Sequence, residues 1–347
     1  MLKVGMRSLA TSVKGQGVGT AYAELIDLLT KYGKDDIFFT HKGLRDCDLL
    51  HCHTLDPVSF FWLKRSKVPT IASVHMMPET MNGSLHFPKP VQKLFNAYML
   101  SFYRSADYMH IVHPDTAEVL EKYGVSRDRI FWVPNVVSAD GVKEKSSAKR
   151  EELRKKHGFE PSDFVVMGSG QLQSRKGILD FAECARKLPD VKFIWAGGFS
   201  FGALSDGHKE LKELVDNPPE NLNFLGIIER EEVYELLIAC DLFFLPSFHE
   251  QFSMSILEAA AAGAPLLLRD LAPYRTVYGE RYLHGENAEE FTEHIRKLKS
   301  DREFQKKMAL LSAEINEMYS EPKIYEKWKQ AYSKFASQKR PDKKKKR

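Results

Sequence analysis

Cysteine is scarce in this sequence, and its pattern excludes two classes of protein. The 347 residues include four cysteines, Cys47, Cys52, Cys184 and Cys240, and no two of them form a C-x-x-C pair. A disulfide-stapled secreted scaffold or a cysteine-rich zinc module needs denser or paired cysteines. Three of the four lie in apolar strand or helix patterns, so we predict buried thiols in a reducing compartment.

Long hydrophobic runs are also missing. No apolar stretch is long enough to span a bilayer, and residues 1–6 enter a strand pattern without the apolar core of a signal peptide. We therefore expect a cytoplasmic protein. A hydrophobic fraction of 43% and an aromatic fraction of 11% are typical of a globular chain, and 347 residues allow two domains.

Acidic residues are absent from the whole segment between Thr80 and Ala106. Residues 339–347 contain seven basic residues and one acidic residue, whereas the rest of the chain has 44 basic and 46 acidic residues. The net charge of +4 therefore resides in a tail that cannot fold by itself. Such a tail suits a polyanion, either a nucleic acid or an anionic membrane surface.

The acid-free segment predicts a basic amphipathic helix that begins near Pro88 and Pro90. Its apolar face would carry Phe87, Val91, Leu94, Phe95, Tyr98, Met99 and Phe102. The opposite face would carry Lys89, Lys93, Asn96 and Arg104. A helix of this kind can lie in a membrane interface or pack on the core of the first domain, and both interpretations are open.

The first glycine-rich stretch lacks part of a dinucleotide fingerprint. A strand at Val4–Met6 leads into residues 14–20 and then a helix over Ala21–Leu29, but Thr20 stands where the third glycine belongs. No P-loop G-K-[ST] follows. An NAD-dependent oxidoreductase is therefore disfavoured, and the stretch predicts a phosphate cradle or a plain tight turn.

The sequence also lacks a complete set of metal ligands. His51 and His53 point to one face of a predicted strand, but no third ligand pattern follows, so no metal is expected. His75 ends the next predicted strand, Pro69–His75, at the edge where open α/β sheets bind ligands. A buried core histidine is the alternative for His75.

What the sequence does contain is a strand, a polar loop and a helix around two glutamates. Asp241–Leu245 predicts a buried strand and Met254–Ala262 a helix, with Glu250 in the loop and Glu258 one turn into the helix. Ser253 is the expected N-cap, and the first helical amides could bind an anion. Two carboxylates beside an anion site suit a nucleotide-sugar.

Strands and helices alternate in both halves of the chain. This pattern predicts an α/β protein with two Rossmann-like parallel-sheet domains facing across a cleft. The polar stretch Ser138–His157 is the expected linker. Glu321-Pro322 begins a last helix with Ile324, Tyr325, Trp328 and Tyr332 on one face, which should pack back onto the protein.

In order and spacing, the motifs resemble the retaining nucleotide-sugar glycosyltransferases of family 4, which have the GT-B fold. The resemblance covers nearly the whole chain: Gly15–Gly19, His75, Val133-Pro134-Asn135, Gly170–Gly177, Gly197-Gly198, Phe224-Leu225-Gly226, Leu245-Pro246-Ser247, Glu250, and Glu258 through Gly263-Ala264-Pro265. It implies an acceptor- and membrane-side domain over 1–139, a nucleotide-sugar domain over 140–320, a C-terminal helix over 321–338 and a basic disordered tail over 339–347.

The resemblance also implies roles for single residues. Glu258 should bind the ribose hydroxyls, Glu250 the donor sugar and Lys176 the diphosphate, while His75 should lie near the sugar and the acceptor. His75, Glu250 and Lys176 are the implied catalytic residues, and the donor site should comprise Gly17, Gly170, Arg175, Lys176, Phe252, Ser253, Met254 and Glu258. Two residues depart from the family pattern: Gln171 replaces its usual arginine and Gln251 its usual glycine.

In this family the departing phosphate is thought to take the acceptor proton, so neither a metal nor a cofactor is implied. Gly170–Gly177 and Phe193–Gly202 further resemble bacterial enzymes that add a second hexose to monoglucosyl-diacylglycerol. UDP-glucose or UDP-galactose would be the donor, and the enzyme would be peripheral on the inner face of the membrane. Lys89, Lys93, Phe95 and Arg104 would meet the anionic lipid, and no nucleic acid partner is expected.

Three alternatives to this function are open. A polysaccharide or a soluble molecule could be the acceptor of the same kind of transferase. A GT-B nucleotide-sugar epimerase would need no acceptor at all, and a donor-only turnover assay would separate it from a transferase.

Overall fold

The computed structural model describes residues 1–9, 17–41, 44–81, 88–142, 146–200, 202, 205–338 and 340. The chain divides into two compact units. The first comprises Met1–Glu79, Phe87–Val136 and Tyr319–Arg347, and the second comprises Thr80–His86 and Val137–Met318. The chain thus passes to the second unit at Val136, three residues before the predicted boundary, and the last helix belongs to the first unit.

The first unit contains a six-stranded parallel sheet in the order β2-β1-β3-β4-β5-β6. Its strands are β1 (Leu2–Arg7), β2 (Ile37–Thr40), β3 (Leu49–Cys52), β4 (Thr70–Val74), β5 (Tyr108–Ile111) and β6 (Ile130–Trp132). Its helices are α1 (Gly17–Tyr32), α2 (Pro57–Arg65), α3 (Lys89–Ser105), α4 (Thr116–Lys122) and α13 (Glu321–Ala336).

The second unit contains another six-stranded parallel sheet, in the order β12-β11-β10-β7-β8-β9. Its strands are β7 (Val165–Ser169), β8 (Lys192–Ala196), β9 (Leu222–Gly226), β10 (Leu242–Leu245), β11 (Leu266–Arg269) and β12 (Leu283–Gly285). Its helices are α5 (Ser147–Lys156), α6 (Ile178–Lys187), α7 (His208–Asp216), α8 (Arg230–Ala239), α9 (Met254–Ala262), α10 (Ala272–Tyr278), α11 (Ala288–Ser300) and α12 (Arg302–Met318).

Both sheets have apolar central strands because helices cover their two faces. All four residues of β10 are buried, and the rings of Phe181, Trp195 and Phe244 pack together above the second sheet, with centroids 5.0 to 5.3 Å apart. The predicted α/β class with two parallel sheets is therefore confirmed. The free cysteines Cys47, Cys52, Cys184 and Cys240 are all buried.

The predicted linker over Ser138–His157 is wrong in its second half. Residues 147–156 form α5, which has Leu153 as its main apolar residue and is held to the second unit by arginines. Arg150 and Arg154 both pair with Asp241, and Arg154 also donates to the carbonyl of Ala239 at 2.9 Å. Ion pairs at the end of α8 thus replace the apolar stripe that sequence patterns detect.

The helix after the first strand starts earlier than predicted. Gly17 and Gly19 lie in the first turn of α1, which was expected to begin at Ala21. Glycine is tolerated there because the first-turn amides have no partner within the helix. The rest of the predicted cradle, residues 14–16, lies outside the described residues.

The last helix packs on the first unit as predicted. Ile324, Tyr325, Trp328 and Tyr332 are all buried. The Phe335 ring stacks on Tyr108 with centroids 4.0 Å apart. Beyond the helix, Arg340 pairs with the buried Asp107 at 2.9 Å and donates to two carbonyls at the end of α2, so the first part of the basic tail is anchored.

Helix α3 combines the two interpretations of the amphipathic segment. Its C-terminal half packs into the first unit, where Met99, Phe102 and Tyr103 are buried. Its N-terminal half leaves Leu94 73% and Val91 49% exposed. The apolar stripe is therefore a core contact over one part of its length and a surface over the other.

Candidate functional site

The loop between β10 and α9 carries Glu250, and α9 carries Glu258. Helix α9 has the predicted bounds and ends at Gly263, whose φ of +77° suits glycine. Ser253 has the extended backbone of an N-cap, but its side chain makes no capping hydrogen bond. Ser253 is thus the N-cap residue as predicted, but its Oγ lies 3.0 Å from Ser255 Oγ and does not occupy the first amides of α9.

Glu250 anchors a buried charge cluster. Its Oε1 accepts hydrogen bonds from Lys176 Nζ, from Arg175 Nη1 at 3.1 Å and from Ser247 Oγ at 3.2 Å. Burial lowers the pKa of Lys176 and is opposed by the charge of Glu250. Burial alone would raise the pKa of Glu250, but the two cations hold it below its usual value. The carboxylate stays ionised and keeps Lys176 fixed in place.

Two glycines bring Lys176 to Glu250. Gly170 has φ +148°, and a Cβ there would lie 3.2 Å from Lys176 Cε. Gly177 has φ +69°, and a Cβ there would lie 2.1 Å from the carbonyl oxygen of Pro246. The short 3₁₀ turn Ser174–Lys176 can therefore pack directly against the loop after β10, which only glycine at these positions permits.

Backbone and side-chain contacts hold the two loops together. The amide of Phe248 donates to the carbonyl of Arg175 at 2.7 Å. Arg269, at the end of β11, donates to the Pro246 carbonyl at 3.0 Å and lies over the Phe248 ring at 3.9 Å from its centroid. Trp195 Nε1 donates to the carbonyl of Gly170 at 3.0 Å, which fixes the glycine turn.

Glu258 is also buried, but its surroundings differ from those of Glu250. Burial raises its pKa, and the nearest cation, Arg230, has Nη2 3.8 Å from Glu258 Oε1. Arg230 also lies over the Tyr234 ring, 5.2 Å from its centroid. A carboxylate with one distant cation can accept hydrogen bonds from ligand hydroxyls.

The predicted donor-site residues differ in their position and burial. Lys176, Arg175, Gly170 and Glu250 form one cluster. Phe252 and Met254 have buried side chains, and the centroid of the Phe252 ring lies 5.7 Å from that of Tyr278. Gly17 lies in the first unit at the start of α1, where a Cβ would meet nothing within 4 Å.

His75 directly follows β4, as predicted, and lies in a cluster of four histidines in the first unit. Its Nε2 is 3.4 Å from His53 Nδ1, and the His53 ring packs at a tilt against His51, with centroids 4.2 Å apart and planes at 43°. Burial lowers the pKa of His75 to about 4 and that of His110 to about 3. It also lowers the pKa values of His51 and His53 well below the usual range. All four rings are neutral near pH 7.

The same edge of the first sheet has an open groove of about 470 Å³. Its lining residues include Arg7, Tyr22, Asp27 and His41. Hydroxyl, carboxylate and guanidinium groups of this kind recognise sugars through hydrogen bonds. Within the described part of the chain, no group of three or more His, Cys, Asp or Glu residues is arranged to hold a metal ion.

The predicted membrane residues lie on α3, but not all of them are at its surface. Lys89 and Lys93 are exposed and Phe95 is half-buried. Arg104 is exposed and its Nη2 donates to the carbonyl of Tyr123 at 2.7 Å, a contact within the first unit. No helix of the described residues is long and apolar enough to cross a bilayer. The tail beyond Arg340 lies outside the described residues.

Sequence reasoning missed four contributors to the second unit's site. Ser247, Trp195 and Arg269 hold the loops around Lys176, yet each is an isolated polar group in an apolar strand or at its end. Tyr274 on α10 is also buried near Glu250 and Arg175, and burial raises the pKa of its hydroxyl well above the usual value. In the sequence, only the polar residues at the ends of β10 and β11 indicated that such contacts would form there.

Comparisons with known proteins agree with this architecture. Residues 149–315 match the protein family described as "Glycosyl transferases group 1", and residues 29–140 match the family described as "Glycosyltransferase Family 4". The chain has the fold of the Anabaena protein Alr3699/HepE, solved in complex with UDP-glucose. The TM-score is 0.75 at 17% identity, over 96% of this chain and 100% of that one.

Two curated relatives match nearly their whole length. The alpha-galactosylglucosyldiacylglycerol synthase of Streptococcus pneumoniae (strain ATCC BAA-255 / R6) is 37% identical, over 97% of this chain and 90% of the relative. The processive diacylglycerol alpha-glucosyltransferase of Acholeplasma laidlawii is 28% identical, over 94% of this chain and 96% of the relative. With both sheets, the Lys176–Glu250 cluster and these matches in agreement, the chain belongs to glycosyltransferase family 4 and is a glycosyltransferase of the GT-B fold.

Proposed function

We propose that this enzyme moves glucose or galactose from a UDP-sugar to a membrane glycolipid, with retention at the anomeric carbon. The acceptor is monoglucosyl-diacylglycerol and the product a diglycosyl-diacylglycerol. The observation that carries the proposal is the buried Lys176–Glu250 pair beside the start of α9. The likeness to a synthase of such a glycolipid over nearly the whole chain supports the choice of acceptor.

The donor is divided among three groups of the second unit. Glu258 accepts hydrogen bonds from the ribose hydroxyls. Lys176 and the first amides of α9 bind the diphosphate, because a cation and a helix N-terminus both favour negative charge. Glu250 holds Lys176 through Oε1, and among the described residues no donor bonds to Oε2, which is the oxygen that meets a sugar hydroxyl.

The chemical step separates the anomeric carbon from the diphosphate, so negative charge grows on the leaving oxygens. Lys176 is already in position to stabilise that charge and needs no reorganisation during the reaction. The departing phosphate takes the proton of the acceptor hydroxyl, and therefore no protein carboxylate acts as nucleophile. No metal ion takes part.

The acceptor reaches the enzyme from an anionic membrane, on which the first unit lies as a peripheral protein at the cytoplasmic face. Leu94 and Val91 are exposed on α3 beside Lys89 and Lys93. Helix α2, which packs on α3, exposes Phe61 by 52% and Val58 by 47%. The next turn of α2 carries Lys64 and Arg65. Exposed apolar residues flanked by lysine and arginine suit an anionic lipid surface.

The groove of about 470 Å³ in the first unit is the candidate place for the acceptor's sugar headgroup. It lies at the carboxyl edge of the sheet, where α/β folds bind ligands, and Asp27 and Arg7 are among its lining residues. The diacylglycerol part would stay in the membrane.

A sugar-transfer screen tests the proposal. The purified enzyme is incubated with radiolabelled UDP-glucose or UDP-galactose and with monoglucosyl-diacylglycerol in anionic micelles. Matched reactions contain diacylglycerol, a soluble glucoside or no acceptor. Transfer to monoglucosyl-diacylglycerol from one of the two donors is the expected result. Transfer only to the soluble glucoside would replace the lipid acceptor, and donor turnover without acceptor would favour an epimerase or hydrolase.

A further inference from the structure

His53 stands behind His75 in a fixed orientation. It is buried, with 4% exposure, and its ring is held between His51 and the edge of Tyr22, with the Tyr22 centroid 4.9 Å away. Its Nδ1 faces His75 Nε2 at 3.4 Å. Its Nε2 has no hydrogen-bond partner among the described residues. His75 itself is half-buried, unlike His53.

The other two histidines of the cluster are fully committed to a separate chain of hydrogen bonds. The Val133 carbonyl can only accept, so His110 Nε2–H donates to it at 2.7 Å and Nδ1 accepts from Ser73 Oγ at 2.9 Å. Ser73 then accepts from His51 Nε2–H at 2.8 Å, and His51 Nδ1 accepts from the Tyr332 hydroxyl at 2.8 Å. Neither His51 nor His110 has a nitrogen left for His53 or His75.

The contact between His53 and His75 allows two proton arrangements. If His75 Nε2–H donates, His53 Nδ1 accepts and His53 must carry its proton on the unpartnered Nε2. If His53 Nδ1–H donates, only a lone pair on His53 Nε2 is left without a partner. Buried N–H groups without an acceptor are rarer than underused acceptors, so the second arrangement is favoured.

We infer that His53 donates Nδ1–H to His75 Nε2 and thereby fixes His75 in the tautomer that carries its proton on Nδ1, the ring nitrogen not facing His53. His53 is a positioning residue. Resting on the proposed function, His75 is then a hydrogen-bond donor to an oxygen of the bound substrates and not a base. The depressed pKa values of both rings, caused by burial, keep the pair neutral near pH 7.

Nuclear magnetic resonance of the full-length protein tests the tautomer without any substrate. Histidine is labelled with ¹⁵N, and long-range ¹H–¹⁵N correlations distinguish protonated from bare ring nitrogens. Loss of signals in His75→Gln and His53→Asn assigns the two rings. We expect His75 to carry its proton on Nδ1 between pH 6 and 8. A proton on His75 Nε2, or a cationic ring, overturns the inference.

Two substitutions at His53 test its effect on the reaction. Asparagine retains a side-chain N–H near the position of Nδ1, whereas leucine retains volume without a donor. We expect His53→Leu to lower kcat about tenfold, as for other residues that orient a functional histidine. The donor KM should change by less than about twofold, and His53→Asn should restore kcat to within about threefold of the parent.

A His53→Asn enzyme as slow as His53→Leu would overturn the positioning role, and so would a His53→Leu enzyme as fast as the parent. If His53→Leu does not fold, the spectrum of the parent still decides the tautomer. A parent that transfers no sugar to any glycolipid contradicts the proposed function alone, because the spectrum needs no acceptor.

Discussion

A single oxygen of Glu250 accepts hydrogen bonds from Lys176, Arg175 and Ser247, so this carboxylate fixes the positions of two cationic side chains. Its negative charge opposes the lowering of the Lys176 pKa that burial causes. In the proposed function, the cluster is held ready for the diphosphate before the donor binds. At the scale of single residues, the proposed function assigns nucleotide binding to Glu258 and stabilisation of the transition state to Lys176.

Replacing Lys176 by alanine should slow chemistry more than it weakens binding, since the leaving-group charge peaks in the transition state. We expect kcat to fall by about 10²- to 10³-fold, the range for loss of one preorganised donor. Steady-state kinetics and UDP calorimetry measure the two effects. Lys306→Ala, at an exposed lysine of the second unit, is the control. A Lys176→Ala enzyme that keeps most of its kcat contradicts the assignment.

Replacing Glu258 by alanine should weaken binding of UDP itself, with or without a sugar. Hydrogen bonds to a charged group contribute about 1.5 to 3 kcal/mol, so the expected loss of affinity is roughly 10- to 150-fold. Isothermal titration calorimetry with UDP measures it, with the exposed Glu303→Ala as the matched control. Unchanged UDP affinity would rule out the ribose role.

At the scale of elements, helices α2 and α3 are each partly buried and partly exposed. Each buries part of its surface in the first unit and leaves other apolar residues exposed beside basic residues. Charge reversal at Lys89 and Lys93 should weaken sedimentation with anionic vesicles and lower glycolipid synthesis, because each cation near such a surface contributes about 1 kcal/mol. UDP binding should not change.

The same two charge reversals at Lys306 and Lys307, on α12 of the second unit, provide the control.

A deletion of the basic tail should leave Arg340 in place, because Arg340 pairs with buried Asp107 and donates to the end of α2. A deletion from residue 342 avoids that contact, and we expect it to weaken vesicle binding and reduce its salt dependence. Parent-like vesicle binding by both variants would favour a soluble acceptor.

The buried cluster of four histidines in the first unit makes stability sensitive to acid. Burial lowers the pKa of His110 to about 3 and that of His75 to about 4, whereas histidine in the unfolded chain titrates near 6.5. The unfolded state therefore binds more protons below about pH 6.5, and stability falls as the pH drops from there towards about 4.

Each such histidine should contribute up to about 1.4 kcal/mol of unfolding free energy per pH unit in that window. Urea titrations at several pH values measure the slope. His110→Gln retains a donor for the Val133 carbonyl and removes one titrating group. The unfolding free energy of this variant should therefore depend less steeply on pH, by the contribution of one histidine. Stability that does not change between pH 7 and pH 5 would contradict this account.

Elements with a strong periodic signal could be predicted from sequence, and those with a weak one could not. Helix α9 and strand β10 were predicted because a run of helix formers ends at glycine and an apolar run precedes it. The edge strands β2 and β12 were missed because they are short and partly exposed, and β5 because Tyr108-Met-His-Ile alternates poorly. Glu250 was found by its place after β10, but Arg269, which donates to the carbonyl of Pro246 from the next strand, has no local pattern.

At the scale of the whole molecule, the two units should respond separately to damage. Trp328 packs on His51 and His110, with ring centroids 5.3 and 4.5 Å away. Trp328→Ala should destabilise the first unit by about 3 to 5 kcal/mol, the usual cost of removing a buried tryptophan. The second unit should still bind UDP within about twofold of the parent. Hydrogen exchange and calorimetry measure the two effects, and Tyr332→Phe is the milder control.

A parallel loss of UDP affinity in Trp328→Ala would show that the units are energetically coupled. The separation is expected because α13 belongs to the first unit, although it follows the second unit in sequence.

That order of the chain matters while the protein is being made. The first sheet leaves the ribosome before the second unit, and α13 follows only after about 10 to 40 s, at a synthesis rate of about 5–20 residues per second. Until then, His51 and His110 lack the aromatic helix that covers them, and the nascent sheet presents apolar surface to the cytosol. The second unit, made as one nearly continuous segment, can fold during this interval, so the half of the enzyme synthesised first is completed last.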